Sequence, residues 1–220
     1  MWEGNALRAP RLLTRVPKIL GASRRYIFFT SVLFLTGVVF GYVVFRRHPV
    51  DSSWLATLLD QKFGPMAQAM STMSVSGMAG MVFWNNLKAA GLLVAGGVVF
   101  GVLPMVMVFL NGLLIGMVSG DVTRQGFGLI PFILIGVLPH GLFEIPGYII
   151  GGTLGIRLGF NILGYQRGRR EGRSVRAILV DTLLVLLVIV VPLLMVGSFI
   201  EVTVTRHLVE WVMGDALRWH

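Results

Sequence analysis

Cysteine is absent from the 220-residue chain, so neither a disulfide framework nor thiolate chemistry is open to it, and no redox compartment follows. Charge is scarce at 13% of residues, and acidic side chains are the scarcer sign, 10 Asp and Glu against 19 Lys and Arg. With 55% hydrophobic residues and a mean hydropathy of +0.79, this composition excludes a soluble domain. Only four histidines are present. A zinc peptidase asks for a second histidine one helical turn from the first, yet His48, His207 and His220 are read as lying outside the membrane. No Ser/His or Cys/His arrangement falls on adjoining spans either, so the chain is expected to be no enzyme and to need neither metal nor cofactor.

What is there reads as an integral, all-α, polytopic membrane protein of about five membrane helices. The net charge of +9 is confined to the flanks of apolar runs. Arg8, Arg11, Arg15, Lys18, Arg24 and Arg25 form one cluster, and Arg157, Arg167, Arg169, Arg170, Arg173 and Arg176 the other. Cytoplasmic orientation and anionic lipid account for both more simply than a nucleic acid does, so no nucleic-acid partner is expected.

In chain order, 1–25 reads as a retained, basic amphipathic cytoplasmic arm on the inner leaflet, limited by Pro10 and Pro17. Residues 26–45 are an uncharged run of about 20 residues, enough for one crossing of the ~30 Å hydrocarbon core. The segment 46–88 is placed outside as two short amphipathic helices interrupted at Gly64-Pro65. Its Met66, Met70, Met73, Met78 and Met81 read as an apolar packing surface rather than a copper site. The core follows at 89–200. In its first run, 89–118, Pro104 calls for a kinked or broken helix. In the second, 127–160, two apolar pieces of about a dozen residues each flank Pro139 to Pro146, which suits a re-entrant hairpin or a pair of thin spans. After a basic loop, 177–200 forms the last span, interrupted by Pro192, with Asp181 in its first turns and Arg157 or Arg176 as its expected ion-pair partner. The tail, 201–220, looks amphipathic. Counting crossings leaves the amino terminus in the cytoplasm and the carboxyl terminus outside a cytoplasmic, multi-pass membrane.

His140 and Glu144 stand between Pro139 and Pro146, where a bilayer-spanning chain should carry no charge. An ionisable group at membrane depth costs roughly 3 kcal/mol or more, which makes it a functional candidate by default. Four residues apart, the two share a face if the turn is helical. They fit first a structural stitch, bonded to each other and to the backbone groups the prolines free, and second a transport site at a broken helix.

Glycines recur at every fourth position in two rows, Gly112, Gly116 and Gly120, then Gly147, Gly151, Gly155 and Gly159. In lipid, where hydrophobic drive between helices is small, close backbone approach through such rows supplies the packing. A leucine at Gly151 is expected to be far more damaging than an alanine at Leu154.

Phe83-Trp-Asn-Asn86, Asn111-Gly112 with Gly116, Pro139-His-Gly141 with Glu144, Ile149-Ile-Gly-Gly152, Leu154-Gly155 and Leu158-Gly159 follow in an order that resembles the stage II sporulation protein M family. The likeness covers roughly 78–200. It implies a polytopic helical membrane protein, and it adds Asn86 and Asn111 to His140 and Glu144 as a candidate intramembrane polar site. In endospore formers the family member acts with a polysaccharide-cleaving protein and a second membrane protein during engulfment; other members occur in organisms that do not sporulate. The expectation is a non-enzymatic scaffold whose partners are the bilayer, membrane or envelope proteins and a second copy of the chain. The alternative is a transporter or lipid-handling protein working through His140 and Glu144.

Overall fold

An uncharged chain in lipid must satisfy its backbone groups internally, which favours helices. In the computed structural model, which describes residues 14–47, 52–166 and 174–213, every regular element is helical. α1 is Arg15–Ala22, α2 Arg24–Arg47, α3 Ser52–Met70, α4 Val75–Gly96 and α5 Val102–Arg124. α6 runs over 129–166 as Leu129–Phe132, a π turn at Ile133–Val137, and Leu138–Gln166. α7 runs over 175–213, with π turns at Leu186–Val190 and Glu201–Thr205 between Val175–Val185, Val191–Ile200 and Arg206–Met213. Four helices are long and apolar enough to cross a membrane: α2, α5, and the stretches Leu129–Gly164 and Val175–Val212. α4 runs beside them over 22 residues but carries Asn85, Asn86 and Lys88.

Contacts between helices fix the directions. Gly37 meets α5 at Phe109 to Leu113 and Gly41 meets it at Leu113 to Met117, so α2 and α5 run parallel along the longest seam in the bundle. α6 runs the other way, because Thr153 Oγ1 donates to Thr30 Oγ1 at 3.1 Å and Arg157 donates to Ser23 Oγ at 2.9 Å. α4 goes with α6, Asn86 beside Glu144 and Leu93 beside Gly155, while α7 opposes it, Ser198 beside Glu144 and Thr205 beside His140. α4 and α5 therefore form a hairpin closed at 97–101, where Phe100 (φ 52°) and Gly101 (φ 77°) reverse the chain. Instead of a kink in one helix, the run 89–118 holds the end of one helix and most of the next. Pro104 falls in the first turn of α5, where its missing N–H costs nothing.

The glycines that allow this packing can be told apart by what a Cβ would strike. At Gly112 and Gly116 it would collide with the carbonyls of Phe34 and Val38. At Gly155 and Gly159 it would collide with the Leu93 carbonyl and the Gly101 amide. Gly147 faces Leu194 at 3.2 Å, whereas Gly151 meets nothing nearer than Leu93 at 3.6 Å. The row is thus uneven, and Leu154, 1% exposed, is a core residue rather than a tolerant neighbour.

The break expected at Pro139 to Pro146 is absent: 129–166 is one continuous helix, with Pro146 inside it. A proline ring clashes with the carbonyl four residues earlier. For Pro139 that carbonyl is Ile135 and for Pro192 it is Val188, and each lies inside a π turn. Widening the helix one turn upstream absorbs the clash, so the helix stays continuous and long enough to cross a membrane. Pro65 likewise sits inside α3, which is one helix and not two.

The described part of the arm packs on the bundle. Val16 and Ile19 of α1 are buried against Leu154 and Val185, and Arg15 pairs with Asp181 at 3.0 Å. Arg15 thus brings Asp181 a cation from α1, and the Arg157 guanidinium donates to Ser23 Oγ. The methionines at 66, 70 and 78 pack with Val82 and Val202. Residues 1–13, the arginines at 167–173, His48 and the tail beyond 213 lie outside the described residues.

Candidate functional site

Helical spacing places His140 and Glu144 on one face of α6, and their bonds go to other helices rather than to each other. Asn86 Nδ2 of α4 donates to Glu144 Oε1 at 2.7 Å, and Ser198 Oγ of α7 donates to the same oxygen at 3.3 Å. His140 Nδ1 meets Thr205 Oγ1 at 3.2 Å. Gly197 makes this possible, since a Cβ there would strike Glu144 Cγ. Thr205 closes the second π turn of α7, which has no proline to explain it, and Glu201 at the start of that turn acts electrostatically on Glu144. Such turns gather at functional positions. Three helices are therefore tied at one polar point, and no buried side-chain nitrogen or oxygen among the described residues is left without a bond.

The depth of this point follows from the register. Glu144 lies nine residues before Thr153, which bonds Thr30, so it stands level with about residue 39 of α2. That is roughly 5 Å from the midpoint of α2, at ~1.5 Å per residue. Gly112 gives an independent check, because it packs between Phe34 and Val38 and its neighbour Asn111 shares Glu144's cavity.

That cavity, about 500 Å³, is a wedge between α4 and α5 floored by α6. Its polar wall is Asn85, Asn86, Lys88, Asn111, His140 and Glu144. All four residues of the expected polar site thus face one space. The prolines of the expected break line none of it, and the glycines hold its walls. Lys88, Asn85, Ser198, Thr205 and Gly197 escaped the sequence reading. Lys88 looked like the border of an apolar run, whereas it sits near the middle of the bundle, two residues from Ala90, which faces Gly151. A signal for the α7 residues did exist: Ser198, Glu201 and Thr205 recur at steps of three and four in an otherwise apolar stretch.

Among the described residues no three His, Cys, Asp or Glu converge as metal ligands. The site offers hydrogen-bond donors, one cation and one carboxyl group at mid-bundle, which suits holding a polar or charged group.

A curated relative from Methanocaldococcus jannaschii, described as an uncharacterized protein, is 27% identical over 134 residues, covering 60% of this chain and 73% of its own length. No solved structure matches. The model of the Stage II sporulation protein M family matches residues 30–206, which takes in all of α2 to α6 beyond Phe29, most of α7 and every residue of the polar site. The chain belongs to the Stage II sporulation protein M family.

Proposed function

We propose that this membrane protein handles a polar or lipid substrate, which it admits to the wedge between α4 and α5, and that it does so without catalysing a reaction. The observation that carries this reading is the Asn86–Glu144–Ser198 junction at the edge of a cavity near mid-bundle. A scaffold that works only through envelope partners needs a tightly packed corner at 140–144. An open wedge lined by Lys88, Asn111 and Glu144 is costly to keep in lipid unless something uses it. Partner proteins in the envelope, the role that the family resemblance implies, are compatible with handling but do not explain the cavity.

The orientation belongs to the same proposal. Arg15, Lys18, Arg24, Arg25, Arg157 and Arg176 gather at the end where α2 begins, and we assign that end to the cytoplasm. The hairpin turn 97–101 then closes the wedge from the cytoplasm.

Since the chain has no cysteine, single cysteines report cleanly. In right-side-out vesicles, Asn111→Cys and Tyr148→Cys are expected to react with a membrane-impermeant thiol reagent, while Leu154→Cys stays protected. Protection of all three would reject a water-reachable wedge and return the corner to a purely structural role.

A further inference from the structure

We infer that the occupant of the wedge is the headgroup of an anionic phospholipid, which enters sideways from the bilayer; this rests on the handling function proposed above. Three observations converge on it. The first is where the wedge opens. Its rim is formed by Asn85 and Lys88, both exposed, and by Leu92, which is 56% exposed, all on a side of α4 that no other described helix covers. An opening on the flank of a bundle faces lipid, and the polar groups that lipid presents there are headgroups.

The second is charge. Lys88 lies near mid-depth and, among the described residues, takes no carboxylate within ion-pairing distance, although Glu144 lines the same wedge. Glu144 already accepts from Asn86 and Ser198. The ammonium of Lys88 and the amides of Asn85 and Asn111 are left as donors, and a phosphate diester is an acceptor that matches them.

The third is the continuity of an apolar surface. A groove of about 630 Å³ shares Met107, Asn111, Leu114 and Tyr148 with the wedge and continues along Leu110 and Leu113 to Trp54 of α3. Both spaces fall within the ~300–1,000 Å³ of ligand sites. A polar cup that runs directly into an apolar trough matches a molecule with a head and a chain, which a free solute lacks. A phosphate held near the middle of the bundle is away from either leaflet's surface, so the bound state is a lipid between leaflets.

The test uses the full chain with the single substitution Leu114→Cys, at the junction of wedge and groove, in vesicles of phosphatidylcholine alone or with one-fifth phosphatidylglycerol. The anionic lipid is expected to slow modification of Leu114→Cys by an impermeant thiol reagent at least fivefold. Adding Lys88→Gln should abolish that protection and Lys88→Arg should keep it, which also controls for misfolding. Equal rates in the two vesicles, or protection that survives Lys88→Gln, would overturn the inference. So would protection by inorganic phosphate in phosphatidylcholine vesicles, which would make the site one for a soluble anion. Reaction of Leu114→Cys at equal rates in both vesicles would leave the handling function standing. Failure of Asn111→Cys and Tyr148→Cys to react in either would remove that function too.

Discussion

Asn86 donates to Glu144 across the seam between two helices that run side by side, at 2.7 Å, the shortest bond the carboxyl group receives. Of the two donors on Oε1, only this one comes from α4, so the amide ties the wall of the wedge to its floor. Asn86→Ala is expected to destabilise the protein by about 1–3 kcal/mol, the cost of stranding a half-buried acceptor. Asn86→Asp, which sets a second carboxyl group against the first, should cost more. Denaturation in mixed micelles measures both, and an Asn86→Ala variant as stable as the parent would show the bond to be incidental.

Glu144→Gln separates shape from charge. Oε1 of a glutamine still accepts from Asn86 and Ser198, so the expected change in stability is under about 1 kcal/mol. If the wedge works through a group that can ionise, substrate handling should fall at least tenfold in a protein that is still folded. The measurements are thermal unfolding in detergent alongside a transport or lipid-movement assay in vesicles. Unfolding of the variant would instead assign Glu144 to the architecture.

The glycine rows make a graded prediction. A Cβ at Gly116 would run into the Val38 carbonyl and lie 2.8 Å from the Tyr42 amide, so neither side can yield without parting α2 from α5. Gly116→Ala should cost about 1–3 kcal/mol or more as overpacking, and Gly155→Ala about the same. Gly151→Ala, with ordinary contacts to Leu93 and Ala90, should stay within about 0.5 kcal/mol of the parent. Leu154→Ala empties a site in the core and should cost about 2–5 kcal/mol. Folded yield and thermal unfolding rank the four. Equal behaviour at 116 and 151 would show that spacing alone, rather than backbone contact, governs these rows.

Much of this architecture can be read from the chain before any coordinates. Uncharged runs set the helical class, His140 and Glu144 stand out as ionisable residues in apolar surroundings, and Asn86 and Asn111 come from the family motifs; all four line one cavity. The continuity of α6 is not legible, because proline's effect depends on whether the turn before it can widen. At Pro139 and Pro192 it does, within Ile133–Val137 and Leu186–Val190. Lys88 and the α7 residues were hidden for another reason. A window of hydropathy stops at the first charge, so Lys88 divides α4 between the outer segment 46–88 and the apolar run 89–118, and Glu201 reads as tail, although both belong to helices that continue. Partner choice is likewise tertiary: Asp181 needs a cation, but which one depends on where α1 folds back.

That fold-back supplies the last prediction. Arg15 reaches Asp181 from α1 with its own side chain 47% exposed and the carboxylate 2% exposed. The pair lies between the surface case, worth about 0–1 kcal/mol, and the buried case, where removing one partner costs about 3–5 kcal/mol. Asp181 also has a further interaction, so loss of Arg15 does not strand it entirely. Arg15→Gln and Asp181→Asn are each expected to cost about 1–2 kcal/mol, and the double variant less than their sum. The local readout is release of α1, whose Val16 and Ile19 then leave Leu154 and Val185. Trypsin should cut at Lys18 in either single variant at least several-fold faster than in the parent. Strict additivity, together with an unchanged rate of cutting, would mean that the apolar face alone holds α1 and that the ion pair only accompanies it.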